Sequence, residues 1–382
     1  MNVLHTISGL GAESGGPSIC VRDLLDGLSN IGAPARLLTF APKLPGLKQH
    51  GHDRPWLITI PNDCHGALSF SRNMRAALAQ SECDLYHCHA LWRYVNHITC
   101  KIARQKRKPY VLTPHGMLYP SALRLKRWRK KAMLALWFRR DIMQATCLHV
   151  TCKQELEHCR NYGYTGPIAL IPNPIVLPDS PPTPSAEPAI RTIGYLGRLH
   201  PIKKIENLIR GAALARQNGC APFCLLIMGS GETAYEAALH RQVTALGLEE
   251  CVHFTGFVDG TEKYTRLASL HALMLPSEQE NFGMVVPEAL LCCTPVYASL
   301  GTPWSELNSH TCGWWRSNSP ESIAEVLSTI TTLPEEELQA MGAAGRKLVE
   351  SRYTQQKVAQ MMQQLYNWLI CHTDKPEFVY TK

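Results

Sequence analysis

The sequence predicts an α/β protein of two domains, each a parallel sheet covered by helices on both faces. Three observations lead there. The chain has 382 residues, a length that suits two ordinary domains better than one. Short apolar runs alternate with longer helical patterns along most of it. One stretch breaks the alternation: residues 177–188 read LPDSPPTPSAEP, with five prolines and no apolar periodicity, the composition of a linker. The expected boundaries are 1–176 for the first domain, 177–190 for the linker and 191–352 for the second domain. Residues 353–382 are expected to hold a helix that packs back on the first domain.

Before the linker, strands are predicted over Val3–Ile7, Ala35–Phe40, Asp84–His87, Tyr110–Thr113, Leu148–Thr151 and Ile168–Ile171. Helical patterns such as Ser18–Leu28 and Tyr94–Gln105 fill the gaps. After it, strands are predicted over Thr192–Leu196, Cys224–Met228, Val252–Thr255, Ala272–Leu275 and Pro295–Ala298. Helices are placed near Ile205–Arg216, Tyr235–Leu246, Thr261–Leu267 and Val285–Leu291. The last helix, about Gln355–Ile370, is amphipathic, with Val358, Met361, Met362, Leu365 and Leu369 on one side. Ligands of such folds bind outside the carboxyl ends of the strands, so chemistry is sought there.

Composition narrows the class. Apolar residues make up 45% and charged residues 18%, an ordinary globular balance. The 15 cysteines are odd in number and form no CxxC pairs at zinc spacing. They read as buried, reduced thiols of a cytoplasmic protein. Met1–Leu10 has no basic region ahead of an apolar run, unlike a signal peptide. No apolar stretch reaches the roughly 20 residues of a spanning helix. The net charge of +8 is uneven: residues 1–180 hold 23 Lys and Arg against 11 Asp and Glu, residues 181–382 hold 16 against 20. The basic half predicts an anionic partner: a membrane surface, a phosphorylated acceptor or nucleic acid.

The motifs follow strands. Thr192–Leu196 runs into Gly197-Arg198-Leu199-His200-Pro201-Ile202-Lys203. A glycine lets the backbone approach a ligand closely. Arginine forks onto two phosphate oxygens and lysine adds a compact charge, so the pair suits a diphosphate. Ala272–Leu275 runs into Pro276-Ser277-Glu278-Gln279-Glu280-Asn281-Phe282-Gly283-Met284-Val285-Val286-Pro287-Glu288. Gly283 marks a turn, and Pro287 is tolerable only early in the helix that follows. Free N–H groups at that helix start suit phosphate. Glu280 ahead of it and Glu288 one turn inside it are placed to accept hydrogen bonds from hydroxyls.

Here the chain resembles a known family. EQENFGMVVPEAL resembles the Glu–seven residues–Glu signature of retaining glycosyltransferases with the GT-B fold, in particular family 4. IGYLGRLHPIKKIENLI is similar to the arginine–lysine strand-end motif of that family. MGSG (Met228–Gly231), VHFTGFV (Val252–Val258) and LLCCTPVYAS (Leu290–Ser299) follow in the family's order. The resemblance implies two Rossmann-like, doubly wound domains facing across a cleft, the first on the acceptor side and the second binding a nucleotide sugar. It implies that Arg198 and Lys203 bind the donor diphosphate and Glu288 the ribose hydroxyls. It places Glu280 on the transferred sugar, with backbone N–H groups of Phe282, Gly283 and Met284 nearby, and the backbone near Phe257 and Val258 on the base. One departure stands out: the family usually has glycine after the lysine, and this chain has Lys204.

In the first half, Gly15-Gly16-Pro17-Ser18 opens a helix after the first strand, an anion-friendly arrangement. Gly9, Gly11, Gly15 and Gly16 lack the GxGxxG spacing, which disfavours a nicotinamide enzyme. The resemblance implies that this loop closes over the donor phosphates. Thr113-Pro114-His115-Gly116 follows another strand and matches the family's His-Gly position, which makes His115 a candidate for the donor sugar or the catalytic centre. His89, in HCHALW, is a weaker candidate on the acceptor side. Leu123–Arg140 reads LRLKRWRKKAMLALWFRR, eight cations at helical spacing with Trp128, Trp137 and Phe138 among them. Those aromatics suit a membrane interface. Nucleic acid is disfavoured, because no nucleic-acid-binding fold accompanies the charge.

The expected function is transfer of a hexosyl group from a UDP- or GDP-sugar to a hydroxyl of a glycan or lipid-linked acceptor, with retention. The expected setting is bacterial surface polysaccharide or lipopolysaccharide assembly at the inner face of the plasma membrane. No DxD motif is present, and Arg198 and Lys203 stand where a metal's charge would act, so no metal or other cofactor is expected. The rival expectations are a sugar-nucleotide epimerase or a non-catalytic nucleotide-sugar-binding module of the same fold.

Overall fold

The structure, a computed structural model, describes the chain except residues 12–15, 42–53, 67, 125–127, 129, 131–132, 178–189 and 382. The chain divides into two compact units, Met1–Val176 together with Gln355–Lys382, and Leu177–Thr354. Most of the expected linker lies outside the described residues.

The first unit is built on an eight-stranded sheet. Its strands are β1 (Val3–Thr6), β2 (Ala35–Phe40), β3 (Leu57–Ile60), β4 (Leu85–His89), β5 (Tyr110–Thr113), β6 (Cys147–Val150) and β7 (Ile168–Leu170). The spatial order is β7-β6-β5-β4-β1-β2-β3, and all of these neighbours are parallel. Val379–Tyr380 adds an antiparallel edge beside β7. An apolar core covers each face. One contains Leu24, Leu28, Val358, Met362, Leu365 and Tyr366, because helix Gln355–Cys371 lies along helix Gly16–Asn30. The helices touch closely at Gly27, where a Cβ would come 2.7 Å from Gln355 Cγ.

The second unit holds a six-stranded sheet of β8 (Arg191–Leu196), β9 (Phe223–Met228), β10 (Val252–Gly256), β11 (Ala272–Leu275), β12 (Val296–Ser299) and β13 (Gly313–Arg316). The order is β10-β9-β8-β11-β12-β13, every pair parallel. Parallel strands buried on both faces read as continuous apolar runs, and β8, β9 and β11 do. Both sheets reverse their strand order once, between β1 and β4 and between β8 and β11. In open α/β sheets ligands bind beyond the carboxyl ends of the strands at such a reversal.

Several elements depart from expectation. β3 and β13 were unexpected strands; both lie at sheet edges and are incompletely buried, which weakens the apolar run that marks a strand. β4 extends through His89, so His87 and His89 sit in one strand on one face.

Candidate functional site

In the second unit, the chain leaving β8 carries Gly197 and Arg198, and the chain leaving β11 carries Pro276–Glu280. These are the two strands at the order reversal. After Arg198 the chain makes one 3-10 turn, Pro201–Lys203, whose start is held by His200 Nδ1 accepting the Ile202 N–H at 3.2 Å. Lys203 Nζ donates to Glu280 Oε1 in a shielded ion pair, the side chains being 19% and 12% exposed. Ser277 Oγ donates to the same carboxylate oxygen at 2.7 Å. The Glu280 N–H donates to the Gly301 carbonyl at 3.0 Å, and the Glu278 N–H to the Ile202 carbonyl at 2.8 Å. The two strand-end loops are thus stitched together. Arg198 is exposed and makes no ion pair among the described residues. Its position is set by its own carbonyl, which accepts the Tyr195 O–H at 3.0 Å.

A third loop, Met228–Gly231, closes on the first. The Gly197 and Leu199 N–H groups donate to the carbonyls of Met228 and Ser230 at 3.0 and 2.9 Å. A Cβ at Gly229 or Gly231 would lie 1.9 Å from the carbonyl oxygen of Gly197 or Leu199. Only glycine permits this approach. Lys204, the departure from the family pattern, has φ +52°, the left-handed conformation in which glycine is unstrained. Its Nζ lies 3.0 Å from Glu278 Oε2, so its charge is spent within the loop.

Gly283 makes its turn at φ +77°, and helix Val285–Leu291 follows. The Phe282 ring is buried against Trp304 and Tyr353, and its carbonyl accepts the Trp304 indole N–H. The N–H groups of Phe282 and Gly283 have no hydrogen-bond partner among the described residues. Glu288 Oε1 accepts from Lys263 Nζ at 2.9 Å. Burial opposes charge on Lys263, but Glu288 and Tyr264 outweigh it and hold its pKa above the usual lysine value. Sequence reasoning missed Lys263 and Ser277. A lone lysine in a helix and a lone serine in a loop carry no spacing signal. Phe257 and Val258 leave β10, the first 72% exposed and the second buried.

In the first unit the histidines converge. His5 on β1 stands opposite His87 on β4. His5 Nδ1 meets His89 Nε2 at 2.9 Å, and His89 Nδ1 meets His115 Nε2 at 3.3 Å. The Tyr366 hydroxyl bridges His5 Nε2 at 3.0 Å and His87 Nδ1 at 2.6 Å. Thr113 Oγ1 bridges His87 Nε2 at 2.7 Å and His149 Nδ1 at 2.9 Å. His149 Nε2 ends on the Ile171 carbonyl at 2.9 Å. Burial lowers every pKa in the group: to about 3 for His5 and His115, to about 4 for His149, and well below the usual value for His87 and His89. His5, His87 and His149 were not singled out from sequence: His5 and His149 are lone histidines there, and His87, two residues before His89, belongs to no motif that marks a site.

His115 is half-buried, at φ +51°. The next N–H, of Gly116, donates at 2.5 Å to Glu155, a fully buried carboxylate that also accepts the Thr151 N–H at 3.0 Å. His89 does not fit the acceptor side: it is 1% exposed, walled in by His5 and His115. Helix Gly16–Asn30 begins at Gly16, and Gly15 lies outside the described residues.

The basic stretch Leu123–Arg140 is described in part. Arg124, Arg139 and Arg140 are exposed, as are Trp128 at 80% and Leu136 at 71%. The other two aromatics turn inward: Phe138 is in the core, and Trp137 stacks on His97 with centroids 5.3 Å apart. Among the described residues no helix is long and apolar enough to cross a membrane.

The chain is similar to known proteins over both units. The family described as glycosyl transferases group 1 matches residues 185–348, and that described as glycosyl transferase 4-like domain matches residues 15–174. A GDP-mannose-dependent alpha-(1-6)-phosphatidylinositol dimannoside mannosyltransferase of Mycobacterium tuberculosis is 33% identical over 107 residues, 28% of this chain and 27% of that relative's length. The structure of sucrose-phosphate synthase from Thermosynechococcus elongatus matches with a TM-score of 0.77 at 22% identity, covering 98% of this chain and 100% of that one. That of Anabaena HepE in complex with UDP and glucose matches with a TM-score of 0.74 at 20% identity, covering 96% and 99%. At these identities the two structures speak for the fold.

Proposed function

The chain belongs to the GT-B glycosyltransferases of family 4 type, and on that footing we propose that it moves a hexosyl group from a UDP- or GDP-sugar to a hydroxyl of a glycan or lipid-linked acceptor, with retention. The observation that carries this reading is the pairing of Lys203 with Glu280 beyond β8 and β11, where that sheet reverses its order, with Arg198 exposed on the same strand-end loop as Lys203. Arg198 is free for phosphate. Lys203 is held by Glu280 and exchanges that partner for the diphosphate, which releases Glu280 to accept a sugar hydroxyl. Glu288, paired with Lys263, receives the ribose hydroxyls, and the chain at Phe257 and Val258 meets the base. The free N–H groups of Phe282 and Gly283 add donors.

In the reaction the bond from the sugar's anomeric carbon to the phosphate oxygen breaks, and negative charge grows on the diphosphate. Arg198 and Lys203 neutralise it, so no metal is needed. The acceptor hydroxyl attacks from the side the diphosphate leaves, and its proton passes to the departing phosphate. HepE in complex with UDP and glucose and the GDP-mannose-dependent relative support the nucleotide sugar as donor. The exposed cations and Trp128 of the stretch Leu123–Arg140 support a lipid-linked acceptor at an anionic membrane surface, the inner face of a bacterial plasma membrane.

The test is a panel of UDP- and GDP-hexoses offered with a polyprenyl-diphosphate-linked acceptor, reading release of UDP or GDP. Release is expected only when acceptor is present; donor turnover without it points to an epimerase. A preorganised donor aimed at developing charge is worth about 3–4 kcal/mol. Arg198→Ala and Lys203→Ala should therefore each lower kcat/KM by about a hundredfold or more. Near-normal rates in both would remove the site. Activity should persist in EDTA, and complete loss there would overturn the metal-free account.

A further inference from the structure

Within the first unit, helix Tyr94–Gln105 and the segment Leu134–Met143 enclose a cavity of about 420 Å³. Helical spacing puts His97, Lys101 and Arg104 on one face of the helix, and all three line the cavity. Leu136, Trp137 and Arg140 line it from the other segment. A π turn, Leu134–Phe138, shapes that second wall: the Arg139 N–H donates to the Leu134 carbonyl, five residues back. Such a turn carries one residue more than an α-helical one. Phe138 goes to the core, Trp137 lies on His97 with the ring planes 24° apart, and Leu136 is left 71% exposed. Asp141, buried in the second segment, ties it to the first. Its Oδ2 accepts from His97 Nδ1–H at 2.7 Å and its Oδ1 from Arg104 Nη2–H at 2.6 Å.

The lining carries three cations and no carboxylate. Asp141 balances one of them, Arg104. Lys101 is exposed and makes no hydrogen bond or ion pair among the described residues. Arg140 is exposed too, and its Nε donates to Gln144 Oε1 at 3.1 Å, a neutral partner. Two uncompensated positive charges therefore share one cavity with an indole N–H. An anion with several acceptor oxygens relieves their repulsion, and phosphate suits both arginine and lysine. The exposed Leu136 decides which phosphate. A soluble one leaves that side chain in water, whereas a lipid headgroup brings acyl chains to it.

We propose that this cavity seats the phosphodiester headgroup of one anionic lipid, with Lys101 and Arg140 neutralising it, the Trp137 indole N–H donating to it and Leu136 set against the acyl region. Lys101 comes from outside the basic stretch Leu123–Arg140, so the site is not that stretch alone. The proposal rests on the anionic membrane surface proposed above and deepens it. A charged surface attracts through every nearby cation alike; a cavity acts through the cations that line it.

Sedimentation of the full chain with phosphatidylglycerol vesicles, set against phosphatidylcholine vesicles, tests it. The unmodified protein should prefer phosphatidylglycerol. Lys101→Gln and Arg140→Gln should each weaken that binding by about tenfold or more, the worth of a hydrogen bond to a charged group. Arg107 is an exposed cation just past the end of the same helix and does not line the cavity; Arg107→Gln should change the binding far less. Diffuse attraction would instead weaken all three alike, by about fivefold each. That result overturns the cavity and leaves the membrane surface standing. No preference for phosphatidylglycerol in the unmodified protein overturns both. Glycerophosphoglycerol, the same headgroup without acyl chains, should displace the vesicles only at about a hundredfold excess or more over the lipid. Displacement at equal concentration assigns the cavity to a soluble phosphate and overturns the lipid. Vesicle preference and displacement are read on the unmodified protein, and every replaced side chain is exposed, so the test does not hang on a variant that fails to fold.

Discussion

Lys204 occupies a left-handed turn that glycine would enter without strain. The strain costs about 1 kcal/mol, and its partly exposed pair with Glu278 returns less than about 1 kcal/mol. Lys204→Gly should thus melt at or slightly above the parent temperature and Lys204→Ala below it, measured by thermal unfolding. A Gly variant that melts lower than the Ala variant would refute the strain. At this scale the sequence was legible where residue types sit at fixed spacing after a strand, as Arg198, Lys203, Glu280 and Glu288 do. It was silent where a partner arrives from elsewhere in the chain. Lys263 reaches Glu288 from another helix, and Tyr366 reaches His87 across 279 positions. Glu155, which pins the Gly116 turn, carries no motif at all.

Among elements, the loop Met228–Gly231 is the one whose chemistry is most restrictive. Gly231→Ala would press a methyl group onto the Leu199 carbonyl, and the loops must part to admit it. Overpacking of this kind costs about 1–3 kcal/mol. Nucleotide affinity should fall with it, since Arg198 belongs to the displaced loop; calorimetric titration with UDP and GDP reads the change. Buried strands such as β8 and β11 were legible as apolar runs, whereas the edge strands β3 and β13 were hidden by their exposure. The basic stretch shows the opposite failure. Its cations were found, but periodicity alone did not reveal that Phe138 belongs to the core and Trp137 to His97. Among its described residues the large exposed side chains are Trp128, Leu136, Arg124, Arg139 and Arg140. Each basic residue near an anionic leaflet is worth about 1 kcal/mol. Replacing Arg124, Arg139 and Arg140 by glutamine should weaken sedimentation with phosphatidylglycerol vesicles by about a hundredfold and leave uncharged vesicles unaffected. Equal binding by parent and variant would remove the membrane surface from the account.

For the whole molecule, the division into two units was legible from one proline-rich seam and from two runs of alternating elements. The converging histidines, which no spacing announces, give the first unit its own response to acid. An unfolded histidine titrates near 6.5, while His5 and His149 titrate at about 3 and about 4 in the fold. Between those values the unfolded chain binds protons that the folded chain refuses. Stability therefore falls as pH drops below about 6.5, by roughly 1.4 kcal/mol per pH unit for each buried histidine. Denaturant titrations at pH 7.5 and pH 5 should show the first unit several kcal/mol weaker at the lower pH, and hydrogen exchange should place the loss around β1, β4 and β6. A flat profile would mean that those rings carry protons in the fold. A last consequence follows from helix Gln355–Cys371, which completes the first unit although the whole second unit precedes it in the chain. A ribosome makes β1 early and Tyr366 late. Domains ordinarily fold as they emerge, the earlier before the later. Here the earlier one stays open on the face that waits for Val358, Met362 and Tyr366, and the later one is the first able to close.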